Sequence, residues 1–158
     1  TGLMRPIVGF TGARIERATF AQMRSFARVL EVLNPSCFVH GDCIGWDYAA
    51  ACWVAENIRD CVIHKYPSNL RATQANGPGA FMAEPAPPLE RNTTIVRVSQ
   101  IMVACPKEAS EQLRSGTWST VRRARKAGRP LVGIEPLGML WSERLSGSWS
   151  ATRIALGL

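Results

Sequence analysis

The 158-residue sequence has no apolar run long enough to cross a lipid bilayer. Its five cysteines are an odd number and include no C-x-x-C pair, which disfavours a zinc site and a disulfide framework. The N-terminal residues lack the apolar length and the small-residue cleavage site of a secretory signal. We therefore expect a cytoplasmic protein with reduced thiols, no membrane partner, no metal and no cofactor.

Acidic residues are also scarce: 12 Asp and Glu stand against 19 Lys and Arg, a net charge of +7. A positive field of this size suits a phosphorylated ligand, nucleic acid or solubility alone. Part of the excess lies on one predicted helix and its end. A solvated helix face is the favoured interpretation, and binding of single-stranded nucleic acid is the alternative. The basic residues of this segment are Arg122, Arg123, Arg125, Lys126 and Arg129.

Short apolar runs alternate along the chain with helical patterns. Because the runs are uninterrupted and do not alternate with polar residues, they predict strands that are buried on both faces of a parallel sheet. We predict a Rossmann-like three-layer α/β/α sandwich with a mainly parallel sheet of about five strands. The predicted strands are residues 7–10, 37–40, 61–64, 101–105 and 131–134.

The predicted Rossmann-like domain spans residues 1–136 and is followed by a tail, residues 137–158. We expect the tail to form a helix that packs on the domain or makes an oligomer contact. Trp141 and Trp149 would suit such a contact, and a homo-oligomer is expected. Residues 68–88 form a long connection rich in proline and glycine, which is typical of a functional lid or a mobile segment.

Three glycine-bearing turns, residues 9–14, 41–47 and 115–120, each precede a predicted helix. In a parallel sheet the carboxyl ends of the strands share one edge, so the three turns should open on that edge. Exposed amides and helix dipoles favour an anion there. We expect residues 115–120 to bind phosphate. The candidate ligand-binding residues are Gly9, Thr11, Gly12, Arg14, Gly41, Asp42, Gly45, Asp47, Arg91, Asn92, Ser115, Gly116 and Thr117.

Several titratable residues near these turns have two interpretations. Asp42 and Asp47 either stabilise a turn and cap a helix, or provide a carboxylate for a ribose hydroxyl. Glu90 and Arg91 form either a surface ion pair, or a catalytic carboxylate with a phosphate-clamping arginine. A Cys43–His40 nucleophile is disfavoured because nothing orients it, and so is a metal site made of His40, Asp42 and His64.

Four segments resemble motifs of the SLOG superfamily, in its order. Residues 9–14 resemble its "SGSR" turn, and residues 41–47 resemble its "GGARGAD" loop. Residues 88–92 resemble the "GPIRN" segment of the small YspA-like members, and residues 115–128 resemble the "SRGT…A…G" block. The match spans residues 7–134 and leaves the tail unexplained. The resemblance implies a Rossmann-like fold that binds a nucleotide or a nucleotide-derived ligand.

The superfamily includes the cytokinin-activating phosphoribohydrolases (LOG, or lysine decarboxylase-like) and the DNA-processing protein A family, which binds single-stranded DNA. In the phosphoribohydrolases an arginine in "HERK" and a glutamate in "PGGYGTLEE" carry the reaction. Arg91 matches that arginine, but Ser119 and Thr120 stand where the glutamates would be. The resemblance therefore favours binding over catalysis. An enzyme would be a nucleoside 5'-monophosphate N-glycosidase with Arg91, Glu90 and Asp42 as catalytic residues.

Overall fold

The computed structural model describes residues 5–14 and 19–158 as a mixed α/β fold. Its strands are β1 Ile7–Gly12, β2 Cys37–His40, β3 Val62–Lys65, β4 Phe81–Met82, β5 Ile101–Cys105, β6 Leu131–Ile134 and β7 Leu140–Glu143. Its helices are α1 Phe20–Leu33, α2 Trp46–Asn57, α3 Pro88–Val98, α4 Gly116–Lys126 and α5 Ser150–Ala155. Two short 3-10 turns lie at Arg71–Thr73 and Gly147–Trp149.

The strands form one sheet in the order β4-β3-β2-β1-β5-β6-β7. Neighbouring strands are parallel except β7, which runs antiparallel to β6. The predicted Rossmann-like, mainly parallel sheet is confirmed at this level, but the predicted count of five strands is wrong. β4 has only two residues, both exposed, and β7 is half-buried throughout. Neither strand therefore forms the buried apolar run that predicts a central strand.

Helices cover both faces of the sheet and bury one apolar cluster on each. Phe26, Leu30 and Leu33 of α1 recur at helical spacing and pack with Trp46 of α2 on one face. Trp118 and the rest of the apolar side of α4 pack with α3 on the other face. This arrangement makes the three layers that were expected from the alternating strands and helices.

The tail, residues 137–158, forms a strand before it forms a helix. β7 extends the sheet beside β6, and α5 follows and contacts α1. Leu156 is buried just beyond α5 and belongs to the same apolar cluster as Phe26 and Trp46. None of the helices in the described part of the chain has the length and apolar character needed to span a membrane.

β1 and β5 lie side by side and parallel, and the direction in which successive strands are added to the sheet reverses between them. From β1 the chain winds outward through β2 and β3 to β4, and it then crosses back to β5 and winds the other way. The connections on the two sides of this point diverge, which leaves a crevice at the carboxyl ends of β1 and β5. This crevice contains the candidate site.

Candidate functional site

A cavity of about 610 Å³ opens at this crevice. Its wall combines the end of β1, the turn between β2 and α2, the first turns of α3 and α4, and part of the loop after β5. The volume lies in the range of about 300–1,000 Å³ that is typical of small-molecule sites.

Ten of the predicted ligand-binding residues line this cavity: eight come from the three glycine-bearing turns and two from α3. The shared edge of parallel strands explains why residues about one hundred positions apart meet here. Their part in binding stays a prediction. The ten residues are Thr11, Gly12, Arg14, Gly41, Asp47, Arg91, Asn92, Ser115, Gly116 and Thr117.

Four of the predicted site residues lie outside the cavity lining: Gly9, Gly45, Glu90 and Asp42. Gly9 is inside the sheet, where a Cβ would overlap Ser99 and Met102. Gly45 precedes α2 with a φ of 102°, a conformation that favours glycine, so its role is to turn the backbone. Glu90 is exposed on α3. These three positions serve the fold or face solvent.

Asp42 faces a different part of the chain, although it directly follows Gly41. Its Oδ1 accepts a hydrogen bond from the Gly77 amide at 2.8 Å, and its Oδ2 accepts one from the Asn76 amide at 3.1 Å. Lys65 Nζ lies 3.6 Å from the same carboxylate. Asp42 therefore fastens the long connection after β3, as the turn-stabilising interpretation expected, and offers no carboxylate to the cavity.

His40 is fully buried and is held by two backbone groups. Its Nδ1 accepts a hydrogen bond from the Asp42 amide at 3.0 Å, and its Nε2 lies 3.2 Å from the Pro78 carbonyl oxygen. This arrangement assigns the proton of the neutral ring to Nε2. Burial lowers the pKa of His40. Burial also raises the pKa of the Cys43 thiol, so the pair lacks the features of an activated nucleophile.

Arg91 reaches into the cavity from the first turns of α3 and is only 5% exposed. Its Nη1 donates to the Gly41 carbonyl oxygen at 2.8 Å, and its Nε donates to Asn92 Oδ1 at 2.7 Å. A Cβ at position 41 would overlap the guanidinium, so this close approach requires glycine. The structure records no hydrogen bond from Nη2 to the residues that it describes, which leaves this donor for a ligand.

Asp47 provides a buried carboxyl group in the same cavity, in the first turn of α2. Its Oδ2 accepts a hydrogen bond from the Cys43 amide at 3.1 Å. Burial raises the pKa of Asp47, and the nearby charges of His40 and Arg91 act in the opposite direction. No cation of the described chain lies within 4.0 Å of it. The cavity therefore contains both a carboxyl group that can be protonated, Asp47, and a fixed cation, Arg91.

The start of α4 supplies the amide groups that were expected to receive an anion. Ser115 caps the helix, and its Oγ accepts a hydrogen bond from the Trp118 amide at 3.2 Å. The amides of Gly116 and Thr117 belong to the first turn, which has no intrahelical acceptors. Around Gly116 an added Cβ would meet no atom within 4 Å, so this side of the helix start faces open space.

Four polar residues of the cavity wall were not predicted from the sequence: Lys107, Glu108, Gln112 and Arg114. They lie between β5 and α4, in a segment that showed only a polar composition. The signal that could have found them is their position directly after a central strand, at the same sheet edge as the other turns. Lys107 and Arg114 are exposed and form no ion pair with a carboxylate of the described chain.

The basic residues of the α4 segment are mostly engaged with acceptors of the protein itself. Arg122 and Arg125 bond Glu111, and Arg125 also bonds Glu143. Arg129 donates to the carbonyl oxygens of the last turn of α3. These cations are thus less available to a nucleic acid backbone than the cations around the cavity.

No family model and no curated protein matches the sequence. Three solved structures share the fold. The molybdenum cofactor binding protein of Rippkaea orientalis is 17% identical with a TM-score of 0.62, covering 99% of this chain and 87% of its own. TM1055 is 14% identical with a TM-score of 0.57, and the match covers 79% of this chain and 71% of the TM1055 chain. The single-stranded DNA-binding DNA processing protein A of Helicobacter pylori is 18% identical with a TM-score of 0.55, covering 97% and 73%. At this identity the likeness concerns the fold alone.

Proposed function

We propose that the protein binds a nucleotide or a nucleotide-derived, phosphate-bearing small molecule in the cavity. The observation that carries the proposal is the convergence on one cavity, at the crevice between β1 and β5, of the α4 helix start and of Arg91, whose Nη2 donates to none of the described residues. Unpaired helix-start amides and a desolvated guanidinium are both strong partners for phosphate oxygens.

The remaining lining fits the other parts of a nucleotide. Asp47 offers a buried carboxyl group that would accept a hydrogen bond from a ribose hydroxyl. Leu89 and Ile95 add apolar surface that would contact a base. Lys107 and Arg114 at the wall would balance further negative charge on the ligand.

Two of the structural neighbours are ligand-binding proteins, which supports a binding role for a chain of this fold. One protein binds the molybdenum cofactor and the other binds single-stranded DNA. Both of these ligands carry phosphate groups, as the proposed ligand does.

The proposal is tested by calorimetric titration of the purified protein with adenosine 5'-monophosphate, adenosine 5'-diphosphate and inorganic phosphate. Mass spectrometry of small molecules that co-purify with the protein would extend the test to other bases. We expect saturable binding of a nucleotide, with inorganic phosphate as a weak competitor. Absence of binding in the titrations together with no phosphate-bearing molecule in the purified sample would contradict the proposal.

A second candidate function is nucleotide N-glycosidase activity, and Asp47 is the observation that favours it. Asp42 is bonded to the long connection after β3 and Glu90 faces solvent, so of the three carboxylates near the motifs only Asp47 lines the cavity. In such a reaction the C1'–N bond breaks, water supplies the hydroxyl group and the base leaves with a proton. Asp47 would activate the water, while Arg91 holds the phosphate.

The enzyme candidate is tested by incubating adenosine 5'-monophosphate with the protein and separating free adenine by chromatography. Asp47→Asn should abolish release of the base while nucleotide binding persists. If wild-type protein releases no base from any common nucleotide, this second function is excluded. Binding of single-stranded DNA stays an alternative, and it predicts an affinity for an oligonucleotide that falls steeply with salt and is lowered by adenosine 5'-monophosphate.

A further inference from the structure

The loop between β5 and α4, residues 106–115, forms one wall of the cavity without any helix or strand of its own. It contributes Lys107, Gln112 and Arg114 to the lining. A ten-residue segment without regular structure loses substantial conformational entropy when it is held in one position. The contacts that hold this loop therefore affect the shape of the site.

Arg122 of α4 does not line the cavity but bonds the loop. Its Nη1 donates to Glu111 Oε2 at 2.9 Å and to the Gln112 carbonyl oxygen at 3.2 Å. Its Nη2 donates to the Leu113 carbonyl oxygen at 3.1 Å. One planar guanidinium thus bonds three consecutive loop residues, immediately before Arg114. The rigid geometry of the arginine donors suits this role, and a lysine could not reproduce it.

Glu111 connects this contact to the hairpin that β6 and β7 form. Its Oε1 accepts a hydrogen bond from Arg125 Nη1 at 2.8 Å. The Nε and Nη2 of Arg125 donate to Glu143 of β7, with contacts of 2.8 to 3.0 Å. Hydrogen bonds from Arg122 and Arg125 lower the pKa of Glu111. Isolated surface pairs stabilise little, but bidentate and networked arginines are the exception.

The hairpin also contacts the start of α4 directly. Trp141 of β7 stacks on Trp118 with ring centroids 5.9 Å apart and planes 3° apart. The guanidinium of Arg125 lies 5.9 Å from the centroid of the Trp141 ring. Trp118 follows Thr117, so this stack supports the turn that was proposed to receive phosphate. Gly133 of β6 leaves the room for Trp141, because a Cβ there would overlap its indole ring.

We infer that Glu111, Arg122, Arg125, Trp141 and Glu143 form a brace that positions the cavity wall, and that Arg122 is a positioning residue for ligand binding. The brace gives the tail a function in the site, and it gives the basic side of α4 a role other than contact with nucleic acid. The part that concerns ligand affinity rests on the proposed function, whereas the part that concerns the loop does not.

The loop is tested in the ligand-free protein by the rate at which chymotrypsin cleaves after the exposed Leu113. Arg122→Ala should speed this cleavage by about tenfold, since three hydrogen bonds that hold the loop are lost. Arg123→Ala is the matched control, because Arg123 lies next on the same helix and bonds Ser119 and Thr93 instead of the loop. Glu111→Gln is a second variant at an exposed position, in case Arg122→Ala folds poorly. Unchanged cleavage in both loop variants would overturn the brace.

The effect on the ligand is tested by titrating adenosine 5'-monophosphate into Arg122→Ala, Arg114→Ala and the double variant. Arg122→Ala should weaken binding about tenfold in the wild-type background and much less when Arg114 is already absent. Lys126→Ala removes an equal charge from the same helix and should leave binding unchanged. Equal weakening in both backgrounds would show that Arg122 does not act through Arg114. If wild-type protein binds no nucleotide, the proposed function fails, and the cleavage experiment still decides the brace.

Discussion

Gly116→Asp should separate ligand binding from folding, because its effects on the two have opposite signs. Gly116 is the first residue of α4, is exposed, and has no atom within 4 Å of the position of an added Cβ. A carboxylate there would face the anion that the helix start is proposed to receive. Two unit charges about 4 Å apart, at an effective dielectric constant of about 20, repel by about 4 kcal/mol, which is roughly a thousandfold in affinity.

The same carboxylate should stabilise the fold. A negative charge in the first turn interacts favourably with the helix dipole by about 0.3–1 kcal/mol. Thermal unfolding should therefore show an unchanged or slightly higher midpoint for Gly116→Asp, while calorimetric titration with adenosine 5'-monophosphate shows loss of binding.

Two substitutions control for the volume of the new side chain. Gly116→Ala adds a Cβ to open space, and Gly116→Asn adds a neutral group of the size of aspartate. Both should bind nucleotide nearly as well as wild type. If Gly116→Asp is folded and binds as tightly as wild type, the anion lies elsewhere and the reasoning from the helix start is refuted.

Three further outcomes follow from buried groups. Burial lowers the pKa of His40, so the unfolded chain takes up a proton before the folded protein does as pH falls below about 6.5. The free energy of unfolding in urea should therefore decrease over this pH range. His40→Asn should largely remove this pH dependence. Burial raises the pKa of Asp47, so ionisation of this carboxyl group disfavours the folded state as pH rises. Asp47→Asn should therefore raise the free energy of unfolding at neutral pH, and a decrease in that free energy would contradict the prediction. Gly133→Ala should cost about 1–3 kcal/mol in urea unfolding because Trp141 must move, and an unchanged midpoint would show that the hairpin adapts freely.

The position of the cavity could be predicted from the sequence because it depends on topology alone. Parallel strands bring their carboxyl ends to one edge, so Thr11, Gly41 and Gly116 were expected to meet before any distance was known. The signals were local: an apolar run followed by a glycine-bearing turn and then a helix. Arg91 was found in a different way, through the resemblance of its segment to a known motif.

Side-chain direction within a turn could not be predicted in the same way. Asp42 and Asp47 flank one loop, and either could have faced the ligand. Asp42 has a φ of 52° and is bonded to Asn76 and Gly77, which are more than thirty residues further along the chain. A local sequence pattern cannot predict a hydrogen-bond partner so far along the chain. β7 escaped prediction for a related reason, since its half-buried residues form a strand only because the edge of β6 is beside them.

Net charge likewise acquires meaning only when each cation is assigned its partner. The cluster on α4 is the densest basic segment of the sequence, yet Arg122 and Arg125 are bonded to acceptors of the protein itself. Lys107 and Arg114, which are unremarkable in sequence, have no carboxylate partner in the described chain and line the cavity. Paired charges cancel at a distance while unpaired ones add. Arg14, Arg91, Lys107 and Arg114 line the cavity without an ion-pair partner in the described chain, so their charges add to a positive field there. The arginines of α4 contribute to that field indirectly, by holding the loop that carries the unpaired cations.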